Sequence, residues 1–195
     1  CKVHLDANEM VQKHAAVIAR TGSGKSYTVG VLLEECIEHG VPAVVIDPHG
    51  EYSGMCTPNL SDEEVRLMDR FDVSPRGFSG RVTVWRVGRW AGNLPPLMLG
   101  LEGLSARQIA WVAGIRDRGA QSALLYRAMA QYGDVATPRG LIMALEGMPG
   151  SQKWPLISAL EALEASDLFD PEGPTPLDRL IRPGEVHVVD LSGIP

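Results

Sequence analysis

Three cysteines, Cys1, Cys36 and Cys56, are too few and too scattered for a disulfide framework, and none has metal-ligand spacing. Their scarcity fits a reducing compartment, so a cytoplasmic protein is expected. No apolar run approaches the ~18 residues of a membrane helix, and no membrane partner is expected. The chain does not open on the charged, apolar and small-residue pattern of a signal peptide. Internal repeats and low-complexity segments are also missing. Positive charge is short: 18 basic against 24 acidic residues leave a net charge of −6, which argues against a uniformly basic nucleic-acid binder. What remains is 195 residues, 45% hydrophobic and 22% charged, enough for one globular domain or one domain with an inserted subdomain. Cys1 in place of methionine, and Pro195 just after an apolar run, read as ends cut from a longer protein.

Charge is unevenly spread. From Arg66 to Arg127 there are 10 basic and 4 acidic residues. Two readings are open: local contact with nucleic acid, or ordinary solvated arginines on helix faces. Trp85, Trp90, Trp111 and Trp154 pose the same choice between base stacking and core packing.

The most informative stretch is Ala19-Arg20-Thr21-Gly22-Ser23-Gly24-Lys25-Ser26. An apolar run from Ala15 to Ala19 precedes it, and an amphipathic run from Tyr27 to His39 follows it. Strand, glycine-rich turn and helix is the context of a phosphate-binding loop. Gly22 and Gly24 let consecutive N–H groups turn into one hollow at a helix N-terminus, where a polyphosphate is favoured. Lys25 would reach the β- and γ-phosphates, and the Ser26 hydroxyl would hold Mg²⁺. The pattern departs at its first position, where Ala19 stands for glycine. Arg20 adds charge beside the loop, facing either a neighbouring subunit or solvent.

The following helix carries an apolar stripe of Val29, Leu32, Leu33, Cys36 and Ile37 and stops at Gly40. Cys36 is thus a core residue. Val41 to Asp47 is a β-branched run that predicts a parallel strand buried on both faces. It ends in Asp47-Pro48-His49-Gly50-Glu51-Tyr52, and polar groups at a parallel strand's carboxyl end point into the ligand crevice. Asp47 and Glu51 would orient water or hold Mg²⁺ there, or Asp47 would simply cap a turn. Further on, Val3 and Leu5 allow a short strand, Ser61 with Glu64 caps a helix, and Arg81 to Gly88 alternates as a strand. Four helices are expected between residues 104 and 170, opened by Ser105 with Gln108, by Ala120, by Pro138 and by Pro155. Val186 to Leu191 reads as another parallel strand, with Asp190 a second-choice Mg²⁺ ligand.

In order, these pieces resemble the HerA group of the HerA/FtsK ATPases: Thr-Gly-Ser-Gly-Lys-Ser at Thr21–Ser26, Asp-Pro-His-Gly-Glu-Tyr at Asp47–Tyr52, a helical insert, then Val-Asp-Leu-Ser at Val189–Ser192. The resemblance implies an α/β phosphate-loop NTPase fold of RecA/ASCE type, with a mostly parallel sheet and a helical insertion. Residues 1–52 would form the first part of the core and 53–103 an insertion with loops and a strand. Residues 104–183 would be a helical subdomain, and 184–195 a core strand whose domain continues beyond. It implies a homo-hexamer that uses ATP and Mg²⁺ to move double-stranded DNA, with a NurA-type nuclease in DNA end resection. Thr21, Gly22, Ser23, Gly24, Lys25, Ser26 and Tyr27 would bind the nucleotide, Lys25 and Glu51 would serve catalysis, and Ser26 and Asp47 the metal. The family's leading barrel, acidic pair, sensor strand and arginine finger fall outside these residues, so this stretch alone is not expected to turn over ATP efficiently. The faces of the strands at 14–19 and 186–191 are then expected to be exposed.

Two other readings compete. One is a nucleotide-binding assembly module with little hydrolysis, favoured by Ala19 and Arg20. The other is a small-molecule kinase, against which the Asp47–Tyr52 segment speaks. Other motors of the same superfamily, in conjugation or defence, share the implied chemistry.

Overall fold

The computed structural model describes residues 4–88, 92–115, 119–133, 137–170 and 172–193. Val3 and Trp90 lie outside them, as do Arg89, Arg116 and Arg118 of the basic middle. Along the chain run α1 (Ala7–Gln12), α2 (Lys25–Glu38), β1 (Ala43–Asp47), α3 (Asp62–Arg70), β2 (Val82–Val87), β3 (Pro96–Leu97), α4 (Ala106–Val112), α5 (Ala120–Tyr132), α6 (Pro138–Glu146), α7 (Lys153–Glu164) and β4 (Val186–Asp190). Among the described residues no helix is long and apolar enough to cross a membrane.

Local chemistry sets the helix ends. Asp6 accepts the Asn8 and Glu9 N–H groups and starts α1, where a short strand near residue 5 was the sequence expectation. Gly40, at φ +72°, ends α2 in a Schellman turn, with Val41 N–H donating to Cys36 C=O at 2.8 Å and Gly40 N–H to Ile37 C=O at 3.2 Å. Ser105 and Gln108 make both arms of a capping box on α4. Ser61 makes only one arm on α3, because its own N–H is taken by Asn59. Helix α7 starts at Lys153, two residues before Pro155, which still falls in the first turn where its missing N–H costs nothing.

The sheet is wholly parallel, in the order β1-β4-β2-β3. Strand β2, read from sequence as part of an insertion, is an inner strand beside β4. Its alternation is as expected: Val82 and Val84 face α2, and Trp85 and Val87 face the other way. Helix α2 covers the first face with Leu33 and Ile37. Leu180 and Leu97 cover part of the second. Helices α4–α7 build a separate cluster around Leu125, Leu141, Leu156 and Leu160, each fully buried. Each such leucine contributes about 2 kcal/mol of apolar burial.

Three expectations are corrected. The run at 14–19 joins no ladder, and Ile18 is 90% exposed. Its β-branched residues have no strand to pair with among the described residues, and propensity alone does not hold a strand. Strand β1 is buried on one face only; Val44 and Ile46 are exposed, because the second-face cluster reaches β4, β2 and β3 but not β1. Conversely β4 is buried throughout, since β1 and β2 flank it and both its faces are covered.

His187 on β4 is buried. The Trp85 indole N–H donates to its Nδ1 at 2.9 Å, so the neutral ring carries its proton on Nε2. Nε2 finds no aligned acceptor, although a Glu185 carboxylate oxygen lies 3.3 Å away. Burial pushes the imidazole below its ordinary range and outweighs the opposing pull of Glu185. The unfolded chain therefore takes this proton before the folded one does. Stability is expected to fall as pH drops below about 6.5. In His187→Gln that slope should flatten, measured as the urea midpoint between about pH 5 and 7.

Candidate nucleotide site

The loop before α2 closes on one carbonyl. Arg20 C=O accepts the Ser23 N–H at 3.2 Å, the Ser23 hydroxyl, and the Lys25 ammonium at 3.3 Å. Gly22 and Gly24 take φ +78° and +86°, left-handed conformations that a side chain would strain. Gly24 is the N-cap and offers no side chain to the first-turn N–H groups of α2. Those donors and the helix dipole are what an anion at this end would meet. Thr21, Gly22, Ser23 and Gly24 are exposed, Lys25 and Ser26 half-buried, and Tyr27 57% exposed.

The second motif is folded by Asp47. Its carboxylate, 1% exposed, accepts the N–H groups of His49 at 3.2 Å and Tyr52 at 3.0 Å. Its carbonyl accepts the Leu191 N–H at 2.9 Å. Between them Gly50, at φ +70°, lies against Ser192; a Cβ there would come 3.1 Å from its Oγ. The turn delivers Glu51 to the loop: the Ser26 hydroxyl donates to Glu51 Oε2 at 2.9 Å. Burial, and then the Glu51 and Asp47 carboxylates, hold the Tyr52 phenol above its ordinary range.

So the structure brings Lys25, Ser26 and Glu51 together at the N-terminus of α2. Asp47 stands behind them, its carboxylate occupied by the turn. Asp190 is in register with Asp47 on one side and Arg86 on the other. All three share the α2 side of the sheet, because Val45, Val188 and Val84, two residues before each, pack there. Asp190 accepts from Arg86 at 2.7 Å and from the Ser192 N–H at 2.8 Å. The bonds with Ser192, ahead of the Arg86 charge, hold its carboxyl below the usual range against the effect of burial. Sequence reasoning did not find the Arg86–Asp190 pair. Its signal was Arg86 falling in the inward row of Val82 and Val84.

A parallel sheet, a glycine-rich loop opening a helix, and polar groups at the strands' carboxyl ends define an α/β fold of the phosphate-loop NTPase class. Within that class, the family model for the central domain of helicase HerA matches residues 1–195, and the chain belongs to that family. It is similar to the DNA double-strand break repair helicase HerA of Pyrococcus furiosus, 41% identical over 69 residues, which are 35% of this chain and 12% of that protein. The helicase of the same name from Saccharolobus solfataricus is 40% identical over 78 residues, 40% of this chain and 15% of that protein. That from Sulfolobus acidocaldarius is 42% identical over 57 residues, 29% of this chain and 12% of that protein. The matched stretch is thus a small part of each of these relatives.

Replacing Asp47 by alanine leaves the His49 and Tyr52 N–H groups without their acceptor. A loss of about 0.5–1.5 kcal/mol per hydrogen bond is expected, read from urea unfolding, because His49 is exposed and Tyr52 half-buried and water reaches the freed donors.

Proposed function

We propose that this chain is the nucleotide-binding part of an ATP-driven motor that moves double-stranded DNA. The observation that carries the reading is the meeting of Lys25, Ser26 and Glu51 at the N-terminus of α2, in a chain of the HerA family. In it, Thr21 to Tyr27 cradle the triphosphate, with loop and first-turn N–H groups toward its oxygens. Lys25 leaves the Arg20 carbonyl and neutralises the outer phosphates. Positioning and charge do most of the work in phosphoryl transfer.

The donor set fits Mg²⁺, which prefers hard oxygen ligands and retains waters and phosphate oxygens. Ser26 offers a hydroxyl oxygen at the phosphate end of the loop, with a carboxylate 2.9 Å away. Ser26 would hold the ion, which supplies charge neutralisation at the phosphates. Asp47 would support the site through the turn.

The names of the relatives, DNA double-strand break repair helicases, support a place in DNA repair. We extend the reading to a homo-hexameric ring working with a NurA-type nuclease in end resection. A second reading, a nucleotide-binding assembly module with little turnover, is favoured by one observation: the Asp47 and Asp190 carboxylates are both engaged in structural bonds.

The test uses the full-length protein. DNA-stimulated ATP hydrolysis is expected, with a loss of about 100-fold or more in Lys25→Ala. Nucleotide-dependent assembly without DNA-stimulated hydrolysis would favour the second reading.

A further inference from the structure

From the Ser26–Glu51 contact we infer that Glu51 is a positioning residue for the metal: it accepts the Ser26 hydroxyl hydrogen bond and so turns a lone pair of that oxygen toward the ion. The inference rests on the nucleotide-site reading above.

A serine hydroxyl has one proton and two lone pairs. Whatever accepts the proton decides where the lone pairs point. A helical hydroxyl ordinarily donates to the carbonyl one turn back, as Thr28 does to Gly24 C=O at 3.0 Å; Ser26, in the first turn of α2, has no such carbonyl within the helix. Ser26 instead donates across 25 positions to Glu51 Oε2 at 2.9 Å. A hydrogen bond to a carboxylate is charge-assisted, and it raises the electron density on the donor oxygen.

Folding gives little reason for this contact. Glu51 is exposed, and an exposed side-chain bond adds little stability. Yet its placement is built in. Asp47 fixes the backbone of Tyr52, one residue on, and Gly50 is tucked under Ser192 one residue back. A residue held from both sides so that an exposed carboxylate meets one hydroxyl is arranged for what that hydroxyl binds.

The test is binding of a fluorescent ATP analogue to the full-length protein, titrated with Mg²⁺. Glu51→Ala should raise the half-saturating Mg²⁺ about 10-fold, the usual scale for losing a group that orients a metal ligand. Its affinity for the analogue in EDTA should not fall, because the lost contact acts through the ion. Glu51→Gln, whose amide oxygen still accepts the proton, should stay within about three-fold of wild type. Ser26→Ala combined with Glu51→Ala should be no worse than Ser26→Ala alone. An unaltered Mg²⁺ requirement in Glu51→Ala overturns the inference, as does Glu51→Gln behaving like alanine or the two changes adding. If the wild-type protein binds the analogue neither with nor without Mg²⁺, the nucleotide-site reading itself falls.

Discussion

The carboxylate of Asp47 is the constraint on which the site depends. A charge with 1% exposure persists in a protein interior only when its oxygens are hydrogen-bonded. Asp47 meets that demand with two backbone N–H groups of its own turn, and its carbonyl takes a third from the chain leaving β4. One residue thus ends β1, shapes the turn and ties it to the neighbouring strand. Glu51 is carried to Ser26 as a result. In the proposed function the glycine loop would cradle the phosphates, and the Asp47 turn brings Glu51 to its edge.

The rest of the chain divides between the sheet and the helices, fastened along one seam. Leu99 N–H donates to Leu168 C=O at 2.8 Å and Thr175 N–H to Met98 C=O at 2.9 Å, while the Thr175 hydroxyl accepts the Met98 N–H at 2.9 Å. Gly88 and Gly100 bring the backbone close on the same seam, where a Cβ would come 3.1 Å from Asp167 C=O and 2.7 Å from Pro174. The exit of β3 is thereby locked to the segment that follows α7. The carboxyl end of β2, where Arg86 holds Asp190, pairs with β3 and so lies one strand from that seam.

Much of this was legible in the residues because local rules decided it. The cap at Ser105, the glycine stop at Gly40 and the alternation of Val82, Val84 and Trp85 each name their element without outside help. The phosphate loop was legible because spacing and context coincide at Gly22, Gly24 and Lys25. What was not legible depends on partners distant in sequence. Ala15 to Ala19 has a strand's composition, but a strand exists only where a ladder receives it. Val44 and Ile46 read as core, yet their burial is set by what lies over β1. The Arg86–Asp190 pair joins residues 104 positions apart, and only the register of β2 on β4 reveals it.

The self-closed loop at Arg20 has a thermodynamic corollary. Its carbonyl already satisfies the Lys25 ammonium and two Ser23 donors. A triphosphate bound as proposed would therefore take Lys25 from the Arg20 carbonyl. That exchange would replace one neutral acceptor by charged oxygens, so Lys25 and the amides of the first helical turn would both contribute to the heat released. To the extent that the Arg20 bonds already hold the loop's turn, less conformational freedom would be surrendered on capture.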